Sequence, residues 1–432
     1  MTAFVNALRD RNALSLLVVL ILRRVAGAAF PVVLVVATAD VRGLAAAALV
    51  QGFRVTALAG TAPFRARLLD RIGRARVIRP QIVVSSAALV ALAICSVTRS
   101  IPLWAVAVCA VVMALTNPSL DAVIRTVWRM TGRTEAEVKA LHSYDSIIEE
   151  AGFLVGPFLA SILMLALGHR VALYVFAVGV VAGMVSALIP AAIRTTLKRT
   201  AAKQPAAVPA KDSGRGARVG RALRTMAGPI ATPELQRIVA PLILMGVELG
   251  IVAIAAPAIS SAHGNSGFSG FIIASISLGG IVGAFGYRSL RLGDSLRRRH
   301  ALLGLVFGLP LLFGTWAHSP EMLGLLLAVA GLAVTPLYIN AYLMMDADIP
   351  RSAIHEANTW VPVGNDVGYV IGLTTAGALS HHASLHGLST SLSIAAVVLV
   401  VYSMLQLRGG SQQPTETDTA DAEVSSTATT AA

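Results

Sequence analysis

Charged side chains inside long apolar stretches are the residues of this sequence that could do chemistry. The set comprises Arg23, Arg24, Arg54, Asp145, Glu149, Glu150, Glu248 and Asp366. Ionisable groups are costly inside a bilayer, so they usually line a pathway for a substrate or a proton. The alternative is a fixed lattice of salt bridges between helices. Tyr338, Asn340 and Tyr342 follow Pro336, and they predict either neutral substrate contacts or interhelical hydrogen bonds.

Glu150 and Asp366 are the pair that the sequence favours most. They are 216 residues apart, and the same offset superposes two Gly-x-x-x-Gly pairs. At about 100° per residue, each acid points away from the glycine side of its helix. We therefore expect two repeated halves, with both acids at the interface between them. There they would meet Arg23, Arg54 or a cationic substrate, and one would carry a proton. The alternative is one structural salt bridge in each half.

Glu248 lies in an apolar stretch with no positive neighbour in sequence. A charged carboxylate is costly to bury without a partner, which predicts that Glu248 is protonated for part of a working cycle. The alternative is a permanent ion pair with Arg23 or Arg24.

No catalytic constellation accompanies these charges. The sequence lacks a Walker-type phosphate loop, so we predict neither ATP hydrolysis nor another enzymatic activity. His381, His382 and His386 contain an i, i+4 pair that could bind zinc. Because no Cys or acid lies nearby, a solvated His-rich loop is the favoured interpretation. We expect no metal and no cofactor.

The composition is that of a polytopic membrane protein. Of the 432 residues, 56% are hydrophobic and 13% are charged, and the mean hydropathy is +0.73. A soluble protein cannot hide that much apolar surface. Apolar runs of about 20 residues predict twelve membrane-spanning helices. These spans cover roughly 12–37, 43–63, 77–98, 101–127, 141–167, 171–193, 237–261, 267–287, 299–317, 321–346, 353–380 and 385–407.

The basic residues orient these spans. The net charge of +13 could indicate nucleic-acid binding, but most of the charge falls in loops on one side of the predicted topology. The positive-inside rule makes that side cytoplasmic and places both termini there. The loop 64–79 alone carries six arginines. The first apolar run resembles a signal peptide, yet Arg23 and Arg24 interrupt it and apolar sequence continues, so we expect a retained helix.

Domain boundaries follow from this topology. We predict an N-terminal six-helix half at 1–193 and a C-terminal six-helix half at 236–408. A basic cytoplasmic linker at 194–235 joins them, and it contains four prolines. Residues 409–432 are rich in Ser, Thr and Ala, which predicts a disordered tail.

Two motifs resemble those of the major facilitator superfamily. Residues 70–76 read Asp-Arg-Ile-Gly-Arg-Ala-Arg and are similar to the family's loop between helices 2 and 3. Residues 152–157 read Gly-Phe-Leu-Val-Gly-Pro and are similar to the core of the antiporter motif in helix 5. The stretches 117–118, 125–128 and 143–157 also look like actinobacterial, drug-efflux-like members.

The resemblance implies roles for these residues. It implies a conformational gate, in which the Asp pairs with an Arg of helix 4; the gate comprises Asp70, Arg71, Gly73, Arg74 and Arg125. Gly152, Gly156 and Pro157 form a small-residue stripe that lets two helices approach closely. The resemblance also implies the major facilitator fold of two pseudo-symmetric halves.

These observations predict proton-coupled export of a small amphipathic or drug-like molecule. We expect a monomer in the plasma membrane, with the substrate, protons and the lipid bilayer as partners. One alternative is uptake of a small metabolite. The other is a membrane scaffold or sensor that transports nothing.

Overall fold

The computed structural model describes residues 11–72, 74–120, 123–124, 127, 134–189, 232–287, 295–350, 354–382 and 385–409. Within these ranges all regular structure is helical, as an all-α membrane protein requires. The α-helices are α1 (Arg11–Arg42), α2 (Leu44–Ile72), α3 (Arg74–Val97), α4 (Leu103–Leu115), α5 (Glu135–Leu167), α6 (His169–Ser186), α7 (Pro233–Ala262), α8 (Ser269–Tyr287), α9 (Leu296–Leu311), α10 (Pro320–Gly331), α11 (Val334–Asp348), α12 (Ile354–His382) and α13 (Leu385–Gly409). Short 3-10 helices at Ser266–Phe268 and Leu312–Trp316 adjoin α8 and α9.

Ten stretches of the described residues are long and apolar enough to cross a membrane. They coincide with ten of the twelve predicted spans. The other two predicted spans contain α4, an apolar helix of 13 residues, and α12, a helix of 29 residues. The number twelve therefore stays a prediction. Residues 194–231 of the predicted linker at 194–235 lie outside the described residues, and so do residues 410–432 of the predicted tail.

Two helices begin earlier than predicted because capping signals extend them. α5 begins at Glu135 instead of 141, since Thr134 and Glu137 form a capping box with both bonds at 3.3 Å. α7 begins at Pro233 instead of 237, because proline is favourable in a first helical turn, where its missing N–H has no intrahelical partner.

The tenth predicted span is not one continuous helix. α10 ends at Gly331 and α11 begins at Val334. Pro336 has no N–H for the carbonyl of Leu332, which a continuous helix would require. The backbone tightens here, where the N–H of Leu332 donates to Val329 at 3.2 Å. Gly283 of α8 lies against the Leu332 carbonyl with no room for a Cβ atom.

Each half contains one glycine seam, by which we mean a line of glycines where two helices pack with their backbones in close contact. In the first, α5 packs on α1: a Cβ on Gly152 would lie 2.9 Å from Cβ of Arg24, and one on Gly156 would lie 2.7 Å from the carbonyl oxygen of Val25. In the second, α12 packs on α7, where a Cβ on Gly368 would lie 2.9 Å from the backbone nitrogen of Val247. The two seams occupy the positions that the 216-residue offset relates.

The halves meet at one end of the bundle, which we call the Gly168 end. Gly43, Gly168 and Gly264 make the connections there, all with φ of 80–85°, a backbone conformation that suits glycine. At the Gly168 end the N–H of Phe271 on α8, in the C-terminal half, donates to Oγ of Ser161 on α5, in the N-terminal half, at 2.8 Å. The bond satisfies a donor in the first turn of α8 that has no partner within its own helix.

Candidate functional site

A cavity of about 280 Å³ lies toward the other end of the bundle from Gly168. Its lining comes from α1 to α6 and from residues 117–120 after α4, so the N-terminal half builds it. The apolar side chains of the wall include Phe30, Leu58, Leu89, Met113, Phe153 and Met184. The polar side chains of the lining are Arg23, Arg24, Arg54, Asn117 and Glu149.

Arg24 is held by two acids of α5. Nη1 lies 2.9 Å from Oε1 of Glu149, and Nη2 lies 3.8 Å from Oδ1 of Asp145. Residues four apart share a helix face, so both acids reach the same guanidinium. Gly152 lies one turn further on that face, and its missing Cβ lets α1 come close enough for the contact. The side chain of Asp145 is 4% exposed, whereas that of Glu149 is 37% exposed and lines the cavity.

Arg54 connects the cavity wall to the C-terminal half. Its Nε donates to Oε1 of Gln51 at 2.8 Å, and it interacts electrostatically with Asp366 and Tyr369 of α12. The sequence left Arg23, Arg54 and a cationic substrate open as partners of Asp366, and this interaction favours Arg54.

Glu150 and Asp366 approach the same tyrosine. Tyr338 of α11 interacts electrostatically with both acids, and Tyr342, one turn later, interacts with Glu149. Acids of both halves therefore interact electrostatically with tyrosines of α11.

Glu248 is fully buried on α7. Neither of its carboxyl oxygens has a hydrogen-bond partner among the described residues. In this structure Arg24 contacts Asp145 and Glu149, which disfavours the alternative ion pair between Glu248 and Arg24.

Asn340 lies outside the cavity lining and ties three helices together. Its Oδ1 accepts from the hydroxyl of Tyr287 on α8 at 3.0 Å, and its Nδ2 donates to the carbonyl oxygen of Leu296 on α9 at 2.9 Å. Of the two interpretations of Asn340, this geometry favours the interhelical hydrogen bonder over the substrate contact.

The predicted gate falls largely outside the described residues. Gly73 and Arg125 lie outside them, as do the side chains of Asp70, Arg71 and Arg74. The side chains of His381 and His382 are outside them as well. His386 stacks on His318 with ring centroids 6.0 Å apart. No group of three potential metal ligands occurs among the residues that were described.

Sequence reasoning missed Gln51, Asn117 and Ser161. Gln51 and Asn117 are uncharged, whereas candidate residues in apolar runs were selected mainly by their charge. Ser161 lies one turn after Pro157 on α5, and its bond to α8 depends on a neighbour 110 residues away.

A charged cavity inside a bundle of apolar helices defines a membrane transport protein. A family model described as Major Facilitator Superfamily matches residues 12–299. The chain belongs to this superfamily, and it is a transporter of that type. No curated protein matches the sequence.

Solved transporter structures share the fold at low identity. The nucleoside transporter NupG is 14% identical, with a TM-score of 0.68 over 94% of this chain and 100% of that one. A bacterial homologue of the iron transporter ferroportin, in an inward-facing state, is 14% identical, with a TM-score of 0.68 over 91% and 98%. The peptide transporter POT in complex with sulfate is 15% identical, with a TM-score of 0.64 over 92% and 94%.

Proposed function

We propose that the chain is a proton-coupled secondary transporter that moves a small amphipathic molecule across the plasma membrane by alternating access. The observation that carries this proposal is the Arg24–Glu149 ion pair on the wall of the cavity. A carboxylate there can exchange its arginine partner for a proton, and this changes the charge offered to a substrate. We further propose twelve spans, cytoplasmic termini and a monomeric protein.

The packing of the helices supports the proposal of alternating access. The α1–α5 and α7–α12 seams make each half stiff, because backbones in close contact leave no room for sliding. The halves can then rock about the cavity as bodies. In this structure the Gly168 end is joined by the Phe271–Ser161 bond. At the other end we propose that Asp70 and Arg125 form a latch that closes when the Gly168 end opens.

Protons have three further candidate carriers. Glu248 is buried without a hydrogen-bond partner among the described residues, and a carboxyl group in that situation is far less costly when protonated. Glu150 and Asp366 lie between the halves, where rocking changes the solvent that reaches them. Movement of a proton on or off these groups would couple a proton gradient to the conformational change.

Export is the direction that the resemblance of residues 152–157 to the antiporter motif favours. Uptake is the second candidate, and the cavity lining supports it, with three arginines against one glutamate. An anion that enters such a site together with a proton would be driven inward by an inward-directed proton gradient.

Transport is tested in proteoliposomes with an imposed pH gradient and a panel of radiolabelled amphipathic compounds. We expect accumulation that a protonophore abolishes and that Glu149→Gln loses, while exchange without a gradient persists. Glu321→Gln is the matched control, since Glu321 is an exposed acid at the start of α10. Movement of no compound by folded protein would favour the scaffold or sensor alternative. Survival of a deletion strain against the same panel separates export from uptake.

A further inference from the structure

The lining of the cavity combines basic and apolar side chains. Its charged lining residues are Arg23, Arg24, Arg54 and Glu149. A cation in this space would face three guanidinium groups. An acidic group would find planar donors, which suit a carboxylate in bidentate geometry.

Asp145 and Glu149 differ in how easily each side chain can move away from Arg24. Asp145 is almost completely buried, at 4% exposure, and lies 3.8 Å from Nη2. Glu149 is 37% exposed and accepts from Nη1 at 2.9 Å, on the side that faces the cavity. If Glu149 turned away, Asp145 would keep the guanidinium in place and the Nη1 donor would point into the cavity.

Resting on the transport function proposed above, and on its uptake direction because the anion and the proton bind together, we propose that the transported molecule is a small amphipathic monoanion. Its acidic group binds Arg24 in the position that Glu149 holds here, after Glu149 has taken up one proton. The proton forms an O–H bond on the Glu149 carboxyl and adds one positive charge, and the bound anion adds one negative charge. The charge of the cavity is therefore unchanged, which avoids burying an uncompensated ion.

The size of the cavity limits this molecule. At about 280 Å³ it lies just below the range of roughly 300–1,000 Å³ that drug-sized ligands occupy. A monocarboxylate with one aromatic ring or a short aliphatic chain fits the volume and can place its apolar part against Phe30, Met113 and Phe153.

Several groups can influence the protonation of Glu149. Arg24 faces it from α1, and Tyr342 interacts with it from α11. Asp145 and Glu150 share its helix, and the cavity also contains the other charged groups, Arg23 and Arg54. Because Arg24 makes the shortest described contact with Glu149, binding of an anion to Arg24 is the event that should release this carboxyl for protonation.

Calorimetry on the purified full chain in nanodiscs tests the inference. The probes are benzoate and hexanoate, with benzamide and benzylamine as neutral and cationic counterparts. Titrations in buffers of different ionisation enthalpy count the protons taken up. We expect the carboxylates to bind with uptake of about one proton, so that affinity rises about tenfold for each pH unit of acidification while Glu149 is ionised. The amide and the amine should not bind.

Two variants locate the proton. Glu149→Gln should bind benzoate with no pH dependence, because the amide resembles the protonated carboxyl group. Glu321→Gln, a change at an exposed acid at the start of α10, should keep the wild-type dependence. If Glu149→Gln does not fold, the proton count on the wild-type protein decides.

Four results would overturn the inference: tighter binding of benzylamine than of benzoate, no binding of either carboxylate to folded protein, carboxylate binding without proton uptake, or an unchanged pH slope in folded Glu149→Gln. Gradient-driven movement of amines would contradict the inference of an anionic substrate but would still support the proposed transport function. Proton-linked carboxylate binding without any movement in vesicles would support the anion inference but contradict the transport function.

Discussion

Gly270 of α8 tests whether the contact between the halves holds the Gly168 end closed. In Gly270→Ala the added Cβ would meet the carbonyl oxygen of Pro157 and would lie 2.7 Å from Oγ of Ser161. Carbon normally stays about 3.3–3.6 Å from oxygen, so the Ser161 contact alone requires α5 and α8 to separate by roughly 0.6–0.9 Å, and the closer Pro157 contact requires more. Separation also weakens the hydrogen bond from Phe271 to Ser161.

The free-energy cost of Gly270→Ala falls on the state closed at the Gly168 end, because α5 and α8 are in contact there. Overpacking costs about 1–3 kcal/mol, and a lost hydrogen bond costs about 0.5–1.5 kcal/mol. Together they amount to roughly 1.5–4.5 kcal/mol, which would shift the equilibrium toward the state open at the Gly168 end by about 10- to 1,600-fold.

Maleimide labelling of a buried reporter measures this shift. Thr38 on α1 is fully buried, so Thr38→Cys, with Cys95 and Cys109 replaced by Ser, reacts only when the Gly168 end opens. In nanodiscs, Gly270→Ala should label roughly tenfold faster or more. Gly286→Ala is the matched control on the same helix, where a Cβ would meet nothing within 4 Å. Equal rates in Gly270→Ala and the parent, or an equal acceleration by Gly286→Ala, would refute the reasoning.

Three further predictions concern acids inside the membrane-spanning helices and the first seam. Glu248→Gln should leave the folded protein intact and remove a protonated-carboxyl band from the infrared difference spectrum; absence of that band from the wild type at neutral pH, in either conformation, would contradict the proton role. Glu150→Gln and Asp366→Asn should each abolish gradient-driven movement and keep substrate exchange, and normal driven transport in both would exclude them as proton carriers. Gly156→Ala should lower the free energy of unfolding by about 1–3 kcal/mol in thermal denaturation, whereas Gly60→Ala, with no neighbour within 4 Å, should not lower it.

The helical membrane fold is readable from the sequence because its signal is long and redundant. Each apolar run of about 20 residues predicts a span without knowledge of any partner. The break between α10 and α11 could not be predicted in this way. Pro336 is visible, but prolines also lie inside continuous helices, at Pro31, Pro80, Pro157, Pro241, Pro257 and Pro362. Whether a helix bends at a proline depends on what its neighbours offer to the backbone groups that the proline leaves unpaired.

The candidate site was accessible to sequence reasoning only in part. Charge inside an apolar run marked Arg24, Glu149 and Asp366, because such residues are rare and need a polar environment. The pairing among them was not accessible, since it depends on which helices pack together. Asn340 shows the same limit. Its amide could serve a substrate or a neighbouring helix, and the positions of Tyr287 and Leu296 favour the second.

Arg54 gives the two halves a common electrostatic link. It lies on the cavity wall of the N-terminal half and interacts with Asp366 of the C-terminal half. A proton on Asp366 would weaken that attraction and leave more of the positive charge of Arg54 for a substrate anion. Linkage is reciprocal, so a bound anion must in turn favour protonation of Asp366. Because the anion binds Arg24 and not Arg54, this effect on Asp366 should be small beside the one proton that Glu149 takes up, although it reaches across the interface between the halves.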